Sequence, residues 1–160
     1  MPAVKKEGET RMLALAYDPA SNPLNNNEWS FPLLECIHIL GFTLSIGTIA
    51  IVDLRMLGLA LQRHTSRELA KALAPWTLIG LVVMLISGPL IFSSDPRMYL
   101  YNVSFRFKMG ALVAAILYHY TLHRWAVLRE PAPAAGKLVA VGSLALWVSV
   151  VAGGLFIAFY

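Results

Sequence analysis

Two stretches of the chain, Ala72 to Ser94 and Leu138 to Tyr160, contain no Asp, Glu, Lys or Arg. At about 1.5 Å of rise per helical residue, each is long enough to cross the roughly 30 Å hydrocarbon layer of a bilayer. A bilayer offers backbone groups no hydrogen-bond partners, so each stretch must close its own bonds as a helix. The alternating segments of about ten residues that build a closed barrel are missing. Composition points the same way. With 58% hydrophobic and 14% charged residues and a mean hydropathy of +0.63, a soluble domain would lack the polar residues to cover its surface.

Two further segments are apolar but interrupted by ionisable residues, one by Glu35, His38, Asp53 and Arg55, the other by Arg106, Lys108, His119, His123 and Arg124. Both are read as spans. The expected architecture is all-α, a polytopic four-transmembrane-helix bundle. Spans fall at about 29–61, 70–94, 105–128 and 136–160, and residues 1–28 form an external N-terminal tail. The loop between the first two spans is read to carry Arg63, Arg67 and Lys71, and the last loop Arg124, Arg129 and Lys137. Both loops are therefore expected in the cytoplasm, and both termini in the periplasm of a bacterial inner membrane. The net charge of +4 thus reports topology, not nucleic-acid binding. The first residues lack the long apolar run of a signal peptide. No internal repeat suggests a transporter built from inverted halves.

An ionisable group inside a span costs several kcal/mol unless it is paired or lines a cavity. In the first span, Glu35, His38, Ser45 and Asp53 fall within about 80° of one another on the helix, with Thr48 at the margin, while Arg55 points about 120° away. In the third, Lys108, Ala111, Ala115, His119 and Leu122 share a face. Its alanines leave a shallow groove for a close helix or a flat ligand such as a porphyrin. Counting from Trp29 and Tyr101 as one interface, His38 lies about 13 Å deep, Lys108 about 10 Å, His119 about 27 Å and Asp53 about 36 Å. His38 and Lys108 can therefore meet, whereas His38 and His119 cannot share one metal ion. His119 is assigned to a second cofactor or proton site, with His123 one turn on near the cytoplasmic interface and Glu35 or Asp53 of another subunit as further partners.

Imidazole suits iron and copper, and one axial histidine is enough to seat a haem in an apolar slot. The candidate cofactor-binding residues are accordingly His38, Lys108, His119, Glu35 and Arg55, and the candidate metal ligands His38, His119 and His123. Cys36 points about 100° from Glu35 and 200° from His38, so a copper trio from this segment alone is excluded. There is no Cys-x-x-Cys-His attachment motif, so any haem is held noncovalently.

The stretches Glu35-Cys36-Ile37-His38-Ile39-Leu40-Gly41, Asp53-Leu54-Arg55-Met56-Leu57-Gly58, Ala74-Pro75-Trp76, Phe92-Ser93-Ser94-Asp95 and Phe105-Arg106-Phe107-Lys108 resemble a family of small uncharacterised bacterial inner-membrane proteins. More remotely the pattern is similar to the HemJ-type protoporphyrinogen oxidases and to CopD-like membrane domains. His38, Leu54/Arg55, Lys108 and Tyr118/His119 stand where the HemJ-type pattern has its histidine, Leu-Pro-Arg, lysine and Tyr-His. The proline before Arg55 is missing, and Glu35 and Asp53 are additional. The resemblance implies a haem b bundle. Its expected work is electron transfer or oxidoreduction, as a haem-dependent membrane oxidoreductase with a quinone or another redox partner. The alternatives are a copper-binding or copper-transport protein using His38, His119 and His123, and a structural homo-oligomeric bundle without cofactor that packs through small residues such as Gly153 and Gly154.

Overall fold

The computed structural model describes residues 18–129 and 131–159; residues 1–17 of the expected N-terminal tail lie outside them. Every regular element among the described residues is helical. The long ones are α1 (Ser30–Leu57), α2 (Ser66–Phe92), α4 (Val103–Tyr118) and α6 (Pro133–Leu155), with short helices α3 (Pro96–Tyr101) and α5 (Arg124–Arg129). A π-turn over His119–His123 joins α4 to α5, so helical backbone runs unbroken from Val103 to Arg129.

Local chemistry sets the helix ends. α1 stops at Leu57, short of the expected 61, because Gly58 adopts the left-handed conformation at φ 80° and the Leu59 amide turns back to Leu54 O. This is a glycine C-cap of the common kind. α2 starts earlier than expected: Thr65 accepts from the Glu68 amide while Glu68 accepts from the Thr65 amide, a reciprocal capping box. Arg67 and Lys71 therefore lie in the first turns of α2, not in a loop, and Arg124, Arg129 and Lys137 are likewise helical. Asp95 caps α3 and Asn102 caps α4, so the connection after α2 is itself partly helical. The segment before α1 is docked as well, with Asn22 and Asn25 donating to the Ser93 and Ser94 carbonyls.

Among the described residues, three helices are long and apolar enough to cross a membrane: Ser30–Leu57, Ser66–Phe92 and Pro133–Phe159. The rod from Val103 to Arg129, which covers the expected third span, is divided by its π-turn and carries Arg106, Lys108 and Arg124. α1 packs on α2, α4 packs on α6, and α1 meets α6 between the two pairs. The surface is apolar: Leu40, Ile86, Leu117 and Val148 are 61–69% exposed, while Ser45, Asp53, Ser87, His123 and Ser143 are buried. Such a distribution suits lipid outside and polar contacts inside. The apolar core of Ile49, Leu81, Met84, Leu112, Ala115, Trp147 and Val150 separates the end of the bundle marked by Trp29 from the end marked by Gly58.

The α1–α2 contact is made by backbone. A Cβ on Gly80 would lie 2.5 Å from Gly41 O and 2.6 Å from the Ser45 amide nitrogen, and neither atom can swing away. Only glycine permits this approach. Gly80→Ala should therefore destabilise the protein by about 1–3 kcal/mol through overpacking. Gly47→Ala, in a position with open space around it, should be neutral or slightly stabilising through helix propensity. Reversible unfolding in mixed micelles checks both, and equal behaviour of the two variants would contradict the backbone contact.

Candidate functional site

At the Trp29 end, α1 presents His38 toward α2. The His38 Nδ1 lies 2.8 Å from Ser87 Oγ, and the Ser87 hydroxyl donates to Val83 O at 2.6 Å. With its only proton committed to that carbonyl, the hydroxyl must accept from the ring, so Nδ1 carries the hydrogen. The Nε2 lone pair is then free. A histidine with one nitrogen tied down by a neighbouring group and the other open is oriented as a metal-ligating histidine is. Beside it lies Gly88, where an added Cβ would make an ordinary van der Waals contact with His38 Cε1 at 3.5 Å.

Lys108 comes from the rod and is within electrostatic reach of both His38 and Glu35. Its side chain runs along α6, with Nζ 3.5 Å from where a Gly154 Cβ would be. Glu35 is exposed and makes no ion pair with it; the ion pair found among the described residues is the one between His123 and Asp53. The shared depth of His38 and Lys108 thus becomes a shared neighbourhood. The alanine groove is a different matter. A Gly153 Cβ would lie 3.0 Å from Lys108 Cβ, and Ala115 is 1% exposed, so α6 fills the groove and no porphyrin could enter there.

At the Gly58 end, Asp53 has no exposed surface. Its Oδ1 lies 2.7 Å from His123 Nε2, and its Oδ2 accepts from Ser143 Oγ at 2.7 Å. One carboxylate therefore joins α1, the rod and α6. His119 stacks on His123 with ring centroids 5.0 Å apart, and His119 Nδ1 is buried without a hydrogen-bond partner. Tyr118 is close enough to feel Asp53 and donates its hydroxyl to Val139 O at 3.1 Å.

The π-turn corrects the sequence-based face. In an uninterrupted α-helix Leu122 follows His119 inward, but the wider turn moves the inward position by one residue. Leu122 is 51% exposed, and His123, expected near the interface, is 2% exposed. Asp53 also finds its partner within the same chain, not in another subunit. Arg55 stands apart from both groups: its Nε donates to the His64 carbonyl, and it lines a cleft of about 210 Å³ with Thr65, Ser66, Ala126 and Gly136. His38, His119 and His123 do not converge, and among the described residues no three His, Cys, Asp or Glu side chains are grouped as metal ligands. Sequence reasoning missed Ser87 and Ser143. A serine in a span is ordinary, and the one available signal was that half-buried His38 and buried Asp53 each needed a donor or acceptor nearby.

Residues 31–160 match the DUF6644 family, a family of unknown function, and the chain belongs to it. No curated protein and no solved structure is significantly similar to the chain.

Removing one donor from a buried carboxylate leaves charge uncompensated. Ser143→Ala should cost about 1–3 kcal/mol and His123→Leu about 3–5 kcal/mol. Because both act on Asp53, their costs should not add. Unfolding of the two single variants and the double variant in mixed micelles measures the coupling, and simple additivity would mean that Asp53 does not link them.

Proposed function

We propose that this DUF6644 member is an integral membrane protein that binds haem b and serves electron transfer or oxidoreduction in a bacterial inner membrane, with His38 as the axial ligand. The observation that carries this reading is the Ser87-anchored ring of His38, whose Nε2 is left open. Lys108, held along Gly154 and near Glu35, is the second ligand or the partner of a propionate. When bound, haem iron supplies one-electron chemistry, carrying electrons if strongly ligated on both faces and reacting with oxygen or substrate if one face is open. The protein's part is to fix the ring tautomer, hold a cation nearby and keep the site at the half-buried Trp29 end, where a quinone or redox partner can approach. Copper has less support, because no three-ligand group is present among the described residues.

In this reading the Val103–Arg129 rod is the third of four spans. Its buried face is shared with α1 and α6, and its outward face carries Val113 and Leu117, 55% and 61% exposed. Both termini lie in the periplasm, because Arg63, Arg67, Lys71, Arg124, Arg129 and Lys137 gather at the Gly58 end and mark it as cytoplasmic. The apolar exterior meets lipid and further copies of the chain.

Detergent-purified protein from haem-replete cells should show a Soret band that shifts with dithionite, and His38→Ala should lose it while keeping its helix content. Ser87→Ala, which frees the ring without removing it, should weaken haem binding by about 10- to 100-fold. A colourless, metal-free preparation that takes up no added hemin sinks the proposal in favour of a structural bundle.

A further inference from the structure

We infer that the cleft at the Gly58 end is a phospholipid site, seating the phosphate of an anionic glycerophospholipid from the adjoining leaflet against Arg55. The cleft lies where the helices end. Arg55 comes from the last turn of α1, Thr65 and Ser66 from the start of α2, Ala126 from α5, and Pro133 and Gly136 from the start of α6. In a chain whose long helices cross a bilayer, that is the level of the headgroups. The volume of about 210 Å³ is below the roughly 300–1,000 Å³ of a site that encloses a whole small molecule. It suits a headgroup whose remainder stays outside.

Among the described residues lining the cleft, Arg55 is the charged one. Its Nε donates to the His64 carbonyl, which orients the guanidinium, and its two outer nitrogens bond to nothing among the described residues. The acids closest in the chain are committed elsewhere. Asp53 is bonded through both oxygens to His123 and Ser143, and Glu68 closes the capping box with Thr65. A guanidinium fork without a carboxylate matches two oxygens of a phosphate. Two hydroxyls share the lining. Thr65 Oγ1 accepts from the Glu68 amide and so keeps its proton to donate, and Ser66 Oγ has no hydrogen bond among the described residues. The same end exposes Arg63, Arg67, Lys71, Arg124, Arg129 and Lys137, a basic field that favours anionic over zwitterionic lipid. Ala126 and Pro133 make the walls apolar, and α5 and α6 also expose Leu128 and Leu138. Such surface suits acyl chains, which a soluble phosphate does not have.

The lipid site requires that the chain span a bilayer, as proposed above, and requires no haem. The full chain in detergent is titrated with dioleoyl-phosphatidylglycerol and, separately, with dioleoyl-phosphatidylcholine, and bound lipid is counted by native mass spectrometry. The first phosphatidylglycerol should bind about tenfold more tightly than phosphatidylcholine, and Arg55→Gln should abolish most of that preference. Arg106→Gln, which removes the same charge at the Trp29 end, should leave it within about twofold. If Arg55→Gln does not fold, Gly136→Phe carries the test. It keeps Arg55, and nothing lies within 4 Å of a Cβ added at Gly136, so the ring occupies the cleft wall without a clash and should lower phosphatidylglycerol binding about tenfold. Equal binding of the two lipids by the unaltered protein overturns the inference, and so does binding indifferent to the cleft substitutions. Inorganic phosphate that displaces the lipid at equal concentration makes the cleft a site for the free anion and overturns it too. Retention of the chain in carbonate-washed membranes tests the spanning reading by itself, so that failure of the lipid site and failure of the spans are told apart. The Soret experiment on His38 is untouched by either.

Discussion

A carboxylate that has lost all contact with solvent must find its hydrogen-bond donors inside the protein, and Asp53 finds them on two other elements, His123 of the rod and Ser143 of α6. This requirement orders much of the bundle. It bonds α1 to the rod and to α6 at the Gly58 end. Inside a membrane, where helices gain little from hiding apolar surface from lipid, such polar contacts and close packing supply the specificity that water supplies elsewhere. An ion pair without exposure is weak evidence for stability, yet breaking one side of it is costly.

The other organising contact is the passage of the α1 and α2 backbones at Gly41 and Gly80. It brings Ser45 and Thr48 of α1 against α2, where Thr48 bonds Thr77 at 2.8 Å. The same approach lets Ser87 reach His38 two turns nearer the Trp29 end. A single helix face thus serves two neighbours: its first half addresses α2 and its last turn addresses the rod and α6. The two polar groups at opposite ends are separated by the apolar layer around Ile49, Met84, Leu112 and Trp147. They are therefore chemically independent centres, with an open imidazole nitrogen at one and a carboxylate–imidazole pair at the other.

Much of the helical architecture was legible in the residues. The uncharged runs demand helices, and Gly58, the Thr65/Glu68 pair, Asp95 and Asn102 mark ends that local chemistry alone explains. The polar stripe of Glu35, His38, Ser45 and Asp53 singled out α1, on which His38 bonds Ser87 and Asp53 bonds His123 and Ser143, and the depth count put Lys108 level with His38, within whose electrostatic reach it lies. Expectation failed where it assumed one helical period throughout. The π-turn exchanged Leu122 for His123 on the inward face, because a turn holding one more residue advances the pattern by one position. Expectation also named Glu35 or Asp53 of another subunit as a further partner of the His119 site, since no periodicity within one helix reveals that Asp53 of the same chain meets His123.

The residues by themselves determined that the chain is helical, suited to a bilayer, and burdened with a few ionisable groups that had to be accommodated, because charge and hydropathy along the chain decide what lipid will tolerate. Only the tertiary structure decided how they are accommodated. It paired Asp53 with His123 and Ser143, tied His38 to Ser87 and closed the alanine groove with α6. Those outcomes depend on helix rotation, on a one-residue change of register and on the backbone approach that glycine allows, quantities set by three-dimensional packing and not by the spacing of residues along one helix.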